Sequence, residues 1–178
     1  MTRNRNIFLV GPMGAGKTTI GKMLAKSLSI PFIDSDKEIE QRTGVTIPMI
    51  FEYEGEAGFR KRESDVLGVL TEKSPIVLAT GGGAVILPEN QQMLKSRGFI
   101  VYLQCSVDRQ LERTHKDTNR PLLKTPDPRA KLEELYKMRD PIYRSLADYV
   151  IDTGVYSSRS AARQIVRVFN RLSQKVTA

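Results

Sequence analysis

The stretch Gly11-Pro12-Met13-Gly14-Ala15-Gly16-Lys17-Thr18 decides how the rest of the chain is read. An apolar run, Ile7-Phe8-Leu9-Val10, precedes it, and a helical pattern of Ile20, Met23, Leu24 and Leu28 follows. Together these give G-x-x-x-x-G-K-[ST] in the strand–loop–helix setting that a phosphate-binding loop requires. Glycines let successive backbone N–H groups turn inward around an anion, and the following helix adds its positive N-terminal end. Lys17 is placed to reach β- and γ-phosphates, and the Thr18 hydroxyl to ligate Mg²⁺. The stretch predicts a nucleotide-phosphate site.

Working outward, apolar runs near residues 7, 32, 76, 99 and 149 alternate with helical patterns. That alternation predicts an α/β fold, a three-layer α/β/α arrangement around a five-stranded parallel sheet. The run Ile76-Val77-Leu78-Ala79 has the continuous apolar character of a parallel strand buried on both faces. Ligands of open α/β sheets bind beyond the carboxyl ends of the strands. Two groups of residues stand at such ends. Asp34-Ser35-Asp36 follows Phe32-Ile33, and Gly81-Gly82-Gly83 follows the strand at 76–79. Ser35 and Glu38 form an S-x-x-E capping box, which leaves Asp34 and Asp36 free for a ligand; a frame with Asp36 as the cap is the alternative. Three glycines let a ligand approach the main chain and take its N–H groups, where a turn alone needs one or two.

Two helices are expected over residues 46–54 and 57–72, and a third from about 132 to 146, broken near Asp140-Pro141. Arg60 and Arg139 both fall on apolar helix faces. Arginines are costly to bury unpaired, so the two together suit a carboxylate held bidentately. Glu63 lies one turn from Arg60, and a structural ion pair between them is the alternative. Asp36, near the γ-phosphate, could accept a hydroxyl proton. The substrate class that follows is a small acid bearing a hydroxyl. Residues 114–128 are polar, carry three prolines and read as a lid, about 112–128, with Arg120 inside it and Arg113 at its start.

Length and composition narrow the rest. A chain of 178 residues without an interdomain linker reads as one domain over 1–178. Its 40% hydrophobic and 27% charged residues are ordinary for a globular protein. No apolar run approaches a membrane span, and Met1–Arg5 lead directly into a strand without a signal peptide, so a cytoplasmic location and no membrane partner are expected. The lone Cys105 fits a reducing compartment and reads as a small buried filler; the lone His115 reads as solvent-facing. Five of the net +8 charges are Arg159, Arg163, Arg167, Arg171 and Lys175, at every fourth position of one helix. No aromatics interleave with them, so they read as a solvated face rather than a nucleic-acid stripe.

Taken together, Gly11–Thr18, Asp34-Ser35-Asp36, Phe59-Arg60 with Glu63, Thr80–Gly83, Arg120-Pro121-Leu122-Leu123, and Arg139 with Pro141 and Tyr143 resemble bacterial shikimate kinase, a P-loop kinase family. The order and spacing of these motifs run from about residue 5 to 173. The resemblance implies transfer of the γ-phosphoryl of ATP to the 3-hydroxyl of shikimate, in the route to chorismate and the aromatic amino acids. It implies Gly14, Ala15, Gly16, Lys17, Thr18 and Thr19 at the ATP phosphates, and Mg²⁺ on Thr18 directly and on Asp34 through water. It further implies Asp36 as the base and Arg60, Arg139 and the Gly81–Gly83 backbone at shikimate. Arg120 would swing in from the lid and Arg113 would stack on adenine. A monomer acting on ATP and shikimate, without nucleic acid, is the expected form. Residues 152–156 match no part of the pattern. A gluconate-kinase-like enzyme, or a nucleotide-dependent nucleic-acid-binding protein using the arginine helix, are the competing readings.

Overall fold

The computed structural model describes residues 6–117 and 119–175. The leader question, which rests on residues 1–5, lies outside them. Five strands form one parallel sheet: β1 (Ile7–Val10), β2 (Phe32–Asp34), β3 (Val77–Ala79), β4 (Phe99–Gln104) and β5 (Tyr149–Asp152). Their spatial order is β2-β3-β1-β4-β5. The chain thus leaves β1 for the sheet edge, returns through β3, and then crosses to the other side. That reversal leaves a crevice beyond the carboxyl end of β1, where open α/β sheets bind ligands.

Side chains alternate along the strands and build two cores. Phe8, Val10, Leu78, Ile100 and Tyr102 pack on one face against α2 (Ser35–Thr43), α3 (Ile47–Leu70), α4 (Pro88–Arg97) and α6 (Pro128–Leu146). Ile7, Leu9, Val77, Val101 and Leu103 pack on the other against α1 (Lys17–Leu28) and α7 (Ser158–Lys175). The three-layer arrangement expected from the sequence is therefore present. Arg159, Arg163, Arg167 and Arg171 are exposed on the outer side of α7, while Ala161, Ala162 and Ile165 are buried beneath them. The remaining helix, α5 (Val107–Thr114), leads into the lid. A short 3₁₀ turn at Pro121–Leu123 anchors that lid, with Leu122 and Leu123 against Met13, Leu132 and Leu135.

The two helical segments expected at 46–54 and 57–72 are present as the two arms of α3, parted at Gly55, whose φ of 69° and ψ of −177° are not helical. One expectation about helices needs correction. The break expected near Asp140-Pro141 is absent, and α6 runs through Pro141. Proline costs a helix its bond to the carbonyl four residues earlier. Here Pro141 and Lys137 are both exposed, so water can satisfy that carbonyl.

Candidate active site

The phosphate loop joins β1 to α1, and its shape comes from glycine. Gly14 and Gly16 take φ of 77° and 91°, a left-handed conformation that disfavours side chains. Gly16 also caps α1, so the N–H groups of the first turn open toward the crevice. A cavity of about 430 Å³ lies there, lined by Gly14, Gly16, Lys17, Thr18 and Thr19, with Asp34 and Asp36 opposite and Arg113 and Arg120 above. Ala15 is buried behind the loop, its N–H directed to the Pro12 carbonyl. Lys17 folds back on the loop, donating to the Gly11 and Pro12 carbonyls at 2.8 and 2.7 Å. Burial, and then the charge of Arg120, lower its pKa to about 8.

Thr18 and Asp34 meet across the cavity floor, the Thr18 hydroxyl donating to Asp34 Oδ2 at 2.8 Å. Asp34 Oδ1 accepts the N–H groups of Asp36 and Lys37. Asp34 is therefore the N-cap of α2, and neither Ser35 nor Asp36 is. The S-x-x-E pattern misled because Ser35 lies inside the helix, fully buried, where its hydroxyl accepts the Gly81 N–H at 3.1 Å. Asp36 remains free of capping duty, as the sequence reading required, though for a different reason.

A smaller recess of about 70 Å³ shares Asp36, Gly82, Arg120, Ile47 and Asn119 with the first cavity, so the two are continuous. Phe51, Phe59 and Leu122 wall it, and Arg60, Glu63, Arg139 and Gly81–Gly83 supply its polar surface. The two arginines expected to work together do face one space. Their electrostatic states differ. Arg60 donates to Glu63 Oε2 at 2.8 Å and to Glu56 Oε1 at 3.0 Å, which is the ion pair held open as the alternative. Arg139 is 5% exposed, and its Nε has no hydrogen-bond partner. Of the two, only Arg139 keeps a buried guanidinium nitrogen without a hydrogen-bond partner, although Tyr143 and Glu63 lie close to it.

Three buried side-chain atoms lack partners among the described residues: Arg139 Nε, Asp36 Oδ1 and Glu63 Oε1. All three belong to residues lining this recess. Buried polar atoms are nearly always satisfied, so their convergence on one space marks where a polar ligand sits. Burial raises the pKa of Asp36, and the neighbouring Asp34 raises it further. Burial also lifts Glu63 to about 7, against the opposing pull of Arg60.

The glycine triplet serves these side chains as well as any ligand. A Cβ on Gly81 would stand 2.6 Å from Glu63 Oε1 and 2.7 Å from Asp36 Oδ1; one on Gly83 would stand 2.3 Å from the Arg60 guanidinium. Two of the three glycines therefore make room for the charged groups. The Gly81 N–H is taken by Ser35, so the donating amide of this turn lies further on, and the family resemblance implies Gly82.

Arg120 is held by Asp117, from Nε to Oδ2 at 2.9 Å, within the lid. Arg113 ties three segments together, donating to the Gly14 carbonyl at 2.9 Å and to the Thr153 carbonyl at 3.2 Å. Cys105 is buried beside it as expected, and His115 is exposed. Sequence reasoning missed Asp117 and the Ser35 contact. Asp117 stands three residues before Arg120, a spacing that could have been read as an ion pair.

The family model for shikimate kinase matches residues 13–170. The chain belongs to the shikimate kinase family. Shikimate kinase of Methylococcus capsulatus is 66% identical over 171 residues, covering 96% of each chain. Shikimate kinase of Thioalkalivibrio sulfidiphilus is 56% identical over 98% of this chain and 92% of its own. Among solved structures, shikimate kinase from Acinetobacter baumannii in complex with shikimate superposes with a TM-score of 0.91 at 53% identity, over 93% of each chain. A gluconokinase from Sinorhizobium meliloti shares the fold, at a TM-score of 0.66 and 18% identity over 99% of this chain and 98% of its own.

Proposed function

We infer that the chain transfers the γ-phosphoryl of ATP to the 3-hydroxyl of shikimate, giving shikimate 3-phosphate for aromatic amino acid biosynthesis. The observation that carries the assignment of the smaller recess to shikimate is Arg139. A guanidinium buried with a free Nε, beside Arg60 and across from Asp36, calls for an anion that also bears a hydroxyl.

Each side chain then has a role. The amides of Gly14, Gly16 and the first turn of α1, with Thr19 at their edge, cradle the phosphates, and Lys17 leaves its loop carbonyls to reach the β- and γ-oxygens. Arg120, steered by Asp117, closes from the lid on the transferring group. Arg113 borders the nucleotide end of the cavity. Arg60, Arg139 and the Gly82 amide hold the carboxylic acid, and Asp36 takes the proton of the attacking hydroxyl. The raised pKa of Asp36 suits that task, because a base accepts a proton best when its pKa nears the working pH. Phosphoryl transfer asks for little covalent chemistry, so position and charge supply most of the rate.

Mg²⁺ fits the donors available. Thr18 Oγ1 and Asp34 Oδ2 are hard oxygens beside the phosphate loop, and Mg²⁺ prefers one or two such ligands plus phosphate and water. When held by Thr18 and Asp34, it would supply positive charge to offset the negative charge that develops on the phosphates. Residues 1–178 are read as one domain, and the enzyme as a monomer in the cytoplasm. The α7 arginines are read as a solvated face, with no nucleic-acid partner.

ADP release with Mg²⁺-ATP and, in turn, shikimate, gluconate and nucleoside monophosphates tests the reading. Turnover with shikimate alone is the expected result. Comparable turnover with gluconate would move the assignment to the runner-up.

A further inference from the structure

The Gly81–Gly83 turn carries no side chains, yet it must present an amide and leave room for three charged groups. Glycine gives such a turn wide freedom, and something outside it has to restrain it. Two buried hydroxyls do so. Ser35 Oγ accepts the N–H of Gly81, and the hydroxyl of Tyr143 donates to the carbonyl of Gly82. The neighbouring carbonyls of Gly81 and Gly83 bond forward to the N–H groups of Ala84 and Ile86. Tyr143 is thus what holds the Gly82–Gly83 peptide.

Tyr143 is itself immobilised. Its side chain is 2% exposed, and its ring packs against Tyr102 with centroids 5.0 Å apart. The Tyr102 hydroxyl takes no part in that ring contact and donates to Asp140 at 2.7 Å. Tyr143 also stands one helical turn after Arg139 on the same face of α6, and both side chains are buried. The Arg139 guanidinium lies within reach of the Tyr143 oxygen and partly offsets the effect of burial on it. A Cβ on Gly82 would lie 3.6 Å from an Arg139 terminal nitrogen, so the glycine and the arginine are neighbours.

We propose that Tyr143 is a positioning residue for the substrate carboxylate: its hydroxyl fixes the Gly82 peptide and the adjacent Arg139 as one preorganised anion receptor. The proposal rests on the reading of the smaller recess as the shikimate site. Tyr143 touches no reacting atom and acts through its two neighbours. Without the hydroxyl the Gly82 carbonyl loses its restraint, and the receptor must be ordered when substrate binds.

Tyr143→Phe keeps the ring and removes the bond. Calorimetric titration with shikimate and, separately, with ADP reads the consequence. The expected result is a shikimate Kd weaker by about tenfold, the worth of one buried hydrogen bond, with the ADP Kd within about twofold. KM for shikimate should rise in parallel. Tyr102→Phe removes a hydroxyl from the same cluster without touching Gly82 and should leave the shikimate Kd unchanged. Wild-type shikimate affinity in Tyr143→Phe overturns the proposal, as does equal weakening in Tyr102→Phe or equal loss of ADP. Arg139→Ala separates the two levels. If it weakens shikimate binding and Tyr143→Phe does not, the proposal fails and the site stands; if neither does, the site assignment fails.

Discussion

Asp36→Asn should cost activity and add stability, and the structure says why. Asp36 sits in the first turn of α2 with Oδ1 buried and unpartnered. Glu63 Oε1 and Asp36 Oδ1 both crowd the face of Gly81, each within 2.7 Å of the point a Cβ there would occupy. Burial raises the Asp36 pKa first and Asp34 second, and the opposing charges of Arg120, Lys17 and Arg60 do not cancel them. A carboxyl with a raised folded-state pKa is held ionised at a cost to the fold. That cost is full above the raised pKa and disappears below the ordinary carboxyl value, where folded and unfolded forms are both protonated. A pKa one unit higher corresponds to about 1.4 kcal/mol. In a chain of this size each kcal/mol moves Tm by roughly 2–4 °C. Asn keeps the shape and removes the charge, so Asp36→Asn should melt higher than wild type at pH 7.5, with the gain fading toward pH 4. Its kcat should fall by about 10² to 10⁴, the contribution of a positioned base. Differential scanning fluorimetry across pH, a coupled ADP-release assay and shikimate titration measure all three quantities. A lower Tm at neutral pH, or turnover close to wild type, would refute the reasoning.

Other substitutions probe the remaining charges. Arg60→Ala strips Glu63 of its buried partner and should destabilise the fold by about 3 kcal/mol in urea titration, while raising KM for shikimate at least about tenfold and leaving that for ATP alone. Adding Glu63→Gln should restore part of the stability and none of the KM; recovery of both would make Arg60 purely structural. Lys17, its pKa lowered to about 8 in the free protein, should regain its proton when phosphates arrive. ATP binding should therefore take up about half a proton at pH 8 and far less at pH 6.5, measured by calorimetry in buffers of differing ionisation enthalpy. No uptake at pH 8 would place Lys17 away from the phosphates. Lys17→Ala and Arg120→Ala should each lower kcat by at least about a hundredfold, and wild-type turnover in either would withdraw its role.

The fold was legible because its signals are local. The apolar run before Gly11 and the helical period after Thr18 are sufficient to place β1, the loop and α1, and the other strands repeat the pattern. Strand order was not legible, since nothing near Val77 says that β3 inserts between β2 and β1. At the site, residue types carried most of the reading: Arg60, Arg139 and Asp36 do face one recess. The mistakes came where two local rules competed. Ser35 and Asp34 both suit an N-cap, and the choice fell to Asp34 because Ser35 is drawn inward to the Gly81 amide, a contact 46 residues away in sequence. Pro141 looked like a helix break, but it lands on the solvent face of α6. The glycine triplet lines the recess, and what its spacing did not reveal is that Gly81 and Gly83 also leave room for Asp36, Glu63 and Arg60. Tertiary approach of that kind leaves no periodic trace in a sequence.

The central claim is that the recess beside Asp36 is a carboxylate receptor built on Arg139. Titrating shikimate into wild type and Arg139→Ala, with ADP as the second ligand, tests it most directly. The account predicts shikimate binding weaker by about 10- to 100-fold, the worth of a hydrogen bond to a charged group, and ADP binding unchanged. Shikimate affinity equal to wild type, or parallel loss of both ligands, would contradict it.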